Sequence, residues 1–221
     1  MDLGCGVGYG TNILIEKNKK IYGLDINKNA IEFARENYSN NIIFDVGNAE
    51  YLPYKCDFFD AICSFEVIEH IKKPDKFLSE INRVMRNNGI FVLSTPNRPV
   101  FSPNGIKSPY HIREYSYEEL YNLLKKYFHN IKIFGLSKSN NFDISYNYFL
   151  KSQNVRQNIV NIDILNIRKL IPKSIKEYMW ILIGNLFGRN VQESLTYKDF
   201  SITNSNLDKS DNIIAVCKKL L

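Results

Sequence analysis

The sequence lacks the features that mark membrane and secreted proteins. Its apolar runs fall well short of the roughly 20 residues that a membrane-crossing helix needs. Its N-terminus has no basic segment followed by an apolar one, which is the layout of a secretory signal. A cytoplasmic protein is therefore the default expectation.

Metal-ligating residues at close spacing are also lacking. The chain has three histidines, and its four cysteines, at positions 5, 56, 63 and 217, form no CxxC pair. Zinc sites usually contain such pairs, so the spacing predicts no metal site. Cys63 and Cys217 stand in apolar, β-rich segments, which favours buried strand positions over a redox role.

Positive charge is concentrated in one segment. The net charge is +6, and residues 151–190 alone contain seven basic and two acidic side chains. The apolar stretch Tyr178–Phe187 lies within it and is too short to cross a bilayer. Residues 165–190 could contact a membrane surface or a lipid-linked anionic substrate, or they could form a buried lid over a substrate site. Nucleic acid is a weaker candidate partner, because no nucleic-acid-binding module is recognisable.

What the sequence does contain is a regular alternation of strand and helix patterns. Its 221 residues suffice for one domain with an insertion. The strand patterns cover 20–26, 41–46, 58–65, 90–96, 130–136 and 212–220, and the helix patterns cover 27–38, 75–87 and 116–128. This order predicts a parallel sheet with helices on both faces. We expect a core over residues 1–136, a helical cap over 137–211 and the last strand over 212–221.

The first ten residues, MDLGCGVGYG, join a strand end to a glycine turn. Glycine lets backbone N–H groups approach a ligand, and the helix predicted near Tyr9–Thr11 points its positive end at the same place. The dinucleotide pattern GxGxxG fails, because its sixth position is Tyr9 or Thr11 in the two frames, and the Gly-Lys-Ser/Thr of a P-loop is absent. A nicotinamide-dependent oxidoreductase is therefore disfavoured.

The segment Asp2-Leu3-Gly4-Cys5-Gly6-Val7-Gly8 resembles the first motif of class I S-adenosylmethionine-dependent methyltransferases, often written DLGCGxG. Further family-like motifs follow in order: Asp25, Asn48-Ala49-Glu50 with Leu52-Pro53, FFDAICSFEVIEHI at 58–71, and FLSEINRVMRNNGIFVLSTPN at 77–97. The resemblance covers residues 1–135 and is nearest to the type 11 set. It implies an α/β, doubly wound sheet of seven strands in the order 3-2-1-4-5-7-6, with the seventh strand antiparallel.

The resemblance also implies the cofactor, S-adenosyl-L-methionine, and methyl transfer to an oxygen of a small-molecule, sugar or lipid-linked acceptor, with nitrogen as second choice. Asp25 would bind both ribose hydroxyls. Asn48, where many relatives carry Asp, would border the adenine. Asp2 would hold the loop or meet the cofactor's amino group. The full set of expected cofactor-binding residues is Asp2, Gly4, Cys5, Gly6, Gly8, Asp25, Ile26, Asn48, Ala49 and Phe65.

Acceptor activation is expected in the loop after the fifth strand, at the carboxyl end of the sheet. His111 is the candidate general base, and Tyr110 and Arg113 are candidate substrate contacts; a solvated loop is the alternative. His70 is a second candidate base, although the motif around it is largely structural in the family.

Two alternatives to an active enzyme stay open. Family members carry some tens of residues before the first strand, so we expect a late start or a fragment with a short central strand, and a non-catalytic protein would keep the fold without turnover. A membrane-surface binding module would use residues 165–190 and bind anionic vesicles without a cofactor.

Overall fold

The structure is a computed structural model that describes residues 1–15, 20–38, 41–106, 108–138 and 200–219. Within these ranges the strands are β1 Asp2–Leu3, β2 Ile21–Asp25, β3 Ile42–Val46, β4 Phe59–Phe65, β5 Met85–Pro96, β6 Phe128–Lys138, β7 Phe200–Thr203 and β8 Asn212–Lys219. The helices are α1 Tyr9–Ile13, α2 Lys28–Asn37, α3 Pro74–Val84, α4 Arg98–Phe101 and α5 Tyr117–Leu124. Short 3-10 turns lie at Ile68–His70 and Leu207–Lys209.

The strands form one sheet in the order β3-β2-β1-β4-β5-β8-β6-β7. Strands β1 to β5 pair in parallel, and β8 runs antiparallel between β5 and β6. The predicted α/β fold, with its last core strand inserted antiparallel, is confirmed. The predicted number of seven strands is wrong, because Phe200–Thr203 adds an edge strand after β6. This four-residue strand lies where a helical cap was expected.

The strand order reverses between β1 and β4. From β1 the chain moves outward to β2 and β3 on one side, and β4 and β5 follow on the other. In open parallel sheets, ligands bind at the carboxyl ends of the strands at such a reversal. Strand β1, at the centre of the sheet, consists of Asp2 and Leu3.

The boundary between α3 and β5 differs from the prediction of a helix over 75–87 and a strand over 90–96. The helix ends at Val84, and Met85 already has extended backbone and pairs with Phe59. The register then shifts, and Asn88 adopts a left-handed φ of 63°. Asn88 and Gly89 therefore mark an irregularity within a strand rather than the end of a helix.

Helix α5 is also shorter than the predicted span 116–128. Its start is as expected, because Ser116 and Glu119 form a capping box. It ends at Leu124, and Phe128 already belongs to β6, where its buried ring packs 5.4 Å from that of Phe91. Packing against β5 therefore prevails over helical periodicity in the last turn.

Apolar side chains at helical spacing fix α3 and α2 on the sheet. Helix α3 buries Phe77, Leu78, Ile81 and Val84 completely, in one core cluster with residues of β4 and β5. Helix α2 buries Ile31 and Ala34 in a second cluster with Cys5, Ile42 and Phe44. Each large side chain contributes roughly 1.5–3 kcal/mol by burial. Of the two cysteines expected in strands, Cys217 is buried and Cys63 only partly so.

The chain divides into two compact units, Met1–Leu136 with Ile202–Leu221, and Ser137–Ser201. Most of the predicted helical cap over 137–211, and the whole of segment 165–190, lie outside the described residues. Among the described residues, no helix combines the length and apolar character that crossing a membrane requires.

Candidate active site

The glycine turn between β1 and α1 is fastened to the end of β2. The backbone N–H groups of Gly4 and Cys5 both donate to the carbonyl oxygen of Leu24, at 2.7 and 3.1 Å. Inside the turn, the N–H of Gly8 donates to the carbonyl of Cys5 at 3.0 Å. These bonds fix the backbone that leads into α1.

Two of the three glycines are required by close packing. Gly4 and Gly8 both have a φ of +83°, which side-chain-bearing residues rarely adopt. A Cβ at Gly4 would lie 2.3 Å from Cγ2 of Val67, and a Cβ at Gly8 would lie 2.9 Å from the ring of Phe44. Gly6, with a φ of +52°, faces open space. Neighbouring side chains therefore pack closely against the turn at Gly4 and Gly8, whereas no atom lies within 4 Å of a Cβ placed at Gly6.

Asp2 lies beneath the turn and is buried. Its Oδ2 accepts a hydrogen bond from Thr11 Oγ1 at 2.6 Å, and Oδ1 lies 3.7 Å from the thiol of Cys63. Burial raises the pKa of Asp2 above the ordinary value. Of its two expected roles, this geometry matches holding the loop, because the side chain ties β1 to α1.

Asp25 closes β2 beside the turn. Its Oδ2 accepts from the N–H of Gly6 and its Oδ1 accepts from the N–H of Asn27, both at 2.8 Å. These donors orient the carboxylate, and each oxygen keeps lone-pair capacity for a further donor. Two adjacent hydroxyl groups can thus be bound by the two oxygens of one fixed carboxylate.

A cavity of about 450 Å³ lies at the carboxyl ends of the central strands, which is an ordinary size for a small-molecule site. It is lined by Gly4, Leu24, Asp25, Ile26, Gly47, Asn48, Ala49, Glu50, Glu66, Val67, His70, Ile71 and Lys72. The cavity thus brings together five of the predicted cofactor residues and one candidate base. The other predicted cofactor residues, Asp2, Cys5, Gly6, Gly8 and Phe65, are not in its lining, and the side chain of Phe65 is half-exposed.

Asn48 has its side chain fixed by the backbone. Its Oδ1 accepts from the N–H of Glu50 at 2.8 Å, which assigns the amide orientation. Glu50 in turn accepts from the N–H of Lys73 at 3.1 Å. One lone pair of Asn48 Oδ1 is therefore already engaged in this small turn.

Glu66 is a cavity residue that the sequence patterns did not single out. It has a left-handed φ of 56° at the end of β4, a conformation that is costly for a side-chain-bearing residue. Its Oε1 accepts from Ser94 Oγ at 2.6 Å, and both carboxylate oxygens accept from Asn212 Nδ2 at 3.1 Å. Asn212 is 146 positions away, so no local pattern could reveal this pairing.

The two candidate bases, His70 and His111, lie in ring contact, with centroids 5.1 Å apart. His70 Nδ1 lies 2.8 Å from the carbonyl oxygen of Tyr110, and His111 Nδ1 lies 2.8 Å from Glu114 Oε1. Both partners only accept, so both Nδ1 atoms carry the proton. The Nε2 atom of each neutral ring is then left as a proton acceptor. Only His70 lines the cavity.

Two buried carboxyl groups support the histidines. Glu69 is 1% exposed, and burial raises its pKa above the ordinary value. Glu114 is also buried; burial alone would raise its pKa, but hydrogen bonds that include the one from His111 lower it. The carbonyl of Glu69 accepts from the N–H groups of Ile112 and Arg113 at 2.8 and 3.1 Å, so the loop that carries His111 is fixed to the turn that carries His70.

Tyr110 and Arg113, the expected substrate contacts, are not in the cavity lining. The Tyr110 side chain is 80% exposed, and its backbone carbonyl is the group that contacts His70. The Arg113 guanidinium lies over the ring of the buried Tyr115 at 5.0 Å. Their role toward an acceptor stays a prediction.

Comparison with known proteins gives relatives over the N-terminal part of the chain. A family model described as "Methyltransferase domain" matches residues 1–161. A "Probable S-adenosylmethionine-dependent methyltransferase" of Mycolicibacterium smegmatis is 35% identical over 127 residues, which cover 57% of this chain and 49% of that protein. A Mycobacterium tuberculosis protein of the same description is 33% identical over 126 residues, covering 56% and 46%. The chain thus spans about half the length of these curated relatives.

Solved structures of other proteins share the fold. A crystal structure titled as a SAM-dependent methyltransferase, possible histamine N-methyltransferase, from Thermotoga maritima has a TM-score of 0.62 at 15% identity and covers 99% of this chain and 80% of that one. The [4+2]-cyclase SpnF has a TM-score of 0.59 at 17% identity and covers 100% and 74%. At such identities the likeness shows the fold alone, and the cyclase illustrates that proteins of this fold can catalyse a different reaction. The family assignment rests instead on the methyltransferase-domain model that matches residues 1–161. The chain belongs to the class I S-adenosylmethionine-dependent methyltransferases, as its motifs predicted.

Proposed function

We propose that this protein binds S-adenosyl-L-methionine in the described cavity and transfers its methyl group to an oxygen of a small-molecule acceptor. The observation that carries the proposal is the charge of the cavity. Its lining includes the three carboxylates of Asp25, Glu50 and Glu66 against the single ammonium of Lys72. Such a site favours a cationic sulfonium and opposes the phosphates of a dinucleotide, which the failed GxGxxG pattern also disfavours.

In this proposal the cofactor lies across the carboxyl ends of β1, β2 and β3. Asp25, oriented by the N–H groups of Gly6 and Asn27, binds the two ribose hydroxyls. Asn48 and Ala49 border the adenine. Glu66, held by Ser94 and Asn212, lends negative charge toward the sulfonium, a role that the sequence alone did not suggest.

The acceptor lies on the side of His70 and His111. Its oxygen attacks the methyl carbon in line as the carbon–sulfur bond breaks, and the bonding electrons remain on sulfur. The protein contributes alignment, which can be worth several kcal/mol. A hydroxyl must also lose its proton, and His111 assists this step. In the simplest form, His111 Nε2 takes up the proton, while Glu114 stabilises the imidazolium through Nδ1.

The chemical class of the acceptor extends the proposal. Sugar and lipid-linked hydroxyl compounds are the first candidates, and a membrane-surface contact through residues 165–190 would suit a lipid-linked acceptor. Those residues lie outside the described ranges, so only their charge and apolar character support this part.

The test is transfer of a labelled methyl group from S-adenosyl-L-methionine to panels of hydroxyl and amine acceptors. We expect transfer to a hydroxyl compound, and His111→Gln should lower kcat by about 100-fold or more. His129→Gln, a change of the third histidine on β6, serves as the matched control and should leave kcat unchanged. Transfer to amines alone would contradict the proposed oxygen acceptor. Equal kcat values for the two variants would contradict the assigned role of His111. Cofactor binding without transfer to any acceptor would favour the non-catalytic alternative.

A further inference from the structure

We infer that Glu69, His70 and His111 form a binding site for one divalent cation at the rim of the cavity. One possible ligand atom of each residue lies within 4.8 Å of those of the other two. Ligands about 2.0–2.2 Å from a common ion are separated by roughly 3.4 Å in a tetrahedral arrangement. Side-chain rotations that move each ligand by about an ångström would therefore complete the coordination.

The hydrogen bonds around the two histidines are those of metal ligands. A metal-bound imidazole usually donates its second N–H to a carboxylate or a backbone carbonyl. His111 Nδ1 contacts the Glu114 carboxylate and His70 Nδ1 contacts the Tyr110 carbonyl, each at 2.8 Å. Both Nε2 lone pairs are thus left for an ion.

The carboxylate of Glu69 is oriented by a hydrogen bond and has no lysine or arginine partner among the described residues. Its Oε2 accepts from Thr95 Oγ1 at 3.1 Å, and Oε1 lies 4.0 Å from His70 Nε2. In the described part of the chain, no lysine or arginine forms an ion pair with this 1%-exposed carboxylate. A buried carboxylate without a compensating charge is costly, and a cation at this position would remove that cost.

The ligand set indicates the kind of ion. Two imidazoles and one carboxylate suit Zn²⁺, Co²⁺ or Fe²⁺, whereas Mg²⁺ and Ca²⁺ prefer oxygen ligands. Three protein ligands leave a coordination position open, and His70 lines the cavity. If the proposed function holds, such an ion would lower the pKa of an acceptor hydroxyl bound there, so that its proton could pass to solvent water, and His111 would serve as a ligand of the ion in place of the proton acceptor.

The experiment is titration of chelator-treated protein with Zn²⁺ by calorimetry and with Co²⁺ by visible absorption. We expect one ion per chain, and His111→Gln or Glu69→Gln should weaken binding by at least about 10-fold. Glu114→Gln should weaken it by about 10–100-fold through the lost support of His111. His129→Gln should bind like the wild type, and thermal unfolding of each variant confirms that it is folded.

The metal site and the proposed methyltransferase function can fail independently of each other in these experiments. No ion binding by the folded wild type, or equal binding by His111→Gln and His129→Gln, would overturn the inference. Titration with S-adenosylhomocysteine in the absence of metal tests the cofactor site independently. If that ligand binds and Zn²⁺ does not, the metal site is wrong and the methyltransferase proposal stands.

Discussion

Replacing Gly4 by alanine tests the packing that shapes the glycine turn. The methyl group meets two costs. The left-handed φ of +83° costs about 1–2 kcal/mol for a residue with a Cβ. The new Cβ would also lie 2.3 Å from Cγ2 of Val67, and relieving such overlap costs about 1–3 kcal/mol. We therefore expect Gly4→Ala to lower the free energy of unfolding by about 2–5 kcal/mol.

Gly6→Ala is the matched control, because its φ is also positive but no atom lies within 4 Å of the added Cβ. We expect a loss of about 1 kcal/mol, from the backbone alone. Gly4 lines the cavity and Gly6 does not, so Gly4→Ala should weaken S-adenosylhomocysteine binding as well as stability, and Gly6→Ala should change both less.

The assay is urea unfolding of the single variants and of the double variant Gly4→Ala/Val67→Ala. Removing the valine branches relieves the overlap, so the double variant should be more stable than the sum of the two single effects predicts, by about 1–3 kcal/mol. Equal losses for Gly4→Ala and Gly6→Ala, or strict additivity in the double variant, would refute the packing argument.

Three further results are expected. Glu66→Gln should weaken binding of cationic S-adenosylmethionine by roughly 3–10-fold while changing binding of neutral S-adenosylhomocysteine less, and equal effects on both would contradict the charge argument. The hydrogen bonds from Arg83 lower the pKa of Glu80 from 4.5 to about 2, so the stabilisation that they give is present above pH 4.5 and is lost as the pH falls toward 2. Glu80→Gln should therefore flatten the acid side of the curve of unfolding free energy against pH, and an unchanged acid transition would contradict this role of Glu80. In native protein a thiol reagent should modify exposed Cys56 first and buried Cys217, whose pKa burial raises to about 12, last; mass spectrometry of the labelled peptides checks the order, and early labelling of Cys217 would contradict the packing.

The central part of the fold could be predicted because its signals are local. Strands β2, β3 and β4 are short and rich in apolar residues, helices α2, α3 and α5 each bury apolar residues at helical spacing, and the glycine turn stands directly between β1 and α1. Asp25 could likewise be placed, since the end of β2 must lie beside the end of β1 in a parallel sheet.

What could not be predicted depends on long-range contacts. The edge strand Phe200–Thr203 is too short to stand out among polar neighbours. Strand β5 begins early because Met85 pairs with Phe59 across the sheet. The contact of Glu66 with Asn212, and that of His70 with His111, join residues far apart in the chain. For the same reason the sequence spacing predicted no metal site, although the fold brings Glu69 next to both histidines.

The most direct test of the central claim is calorimetric titration of the chain with S-adenosylhomocysteine, repeated with Asp25→Ala and with Asp60→Ala. Asp60 is an exposed carboxylate on β4 that pairs with Arg86, away from the cavity lining, and serves as the control. We expect micromolar binding for the wild type and Asp60→Ala, and a loss of about 100-fold or more for Asp25→Ala, because charge-assisted hydrogen bonds contribute roughly 1.5–3 kcal/mol each. No binding by the folded wild type, or undiminished binding by Asp25→Ala, would contradict the claim.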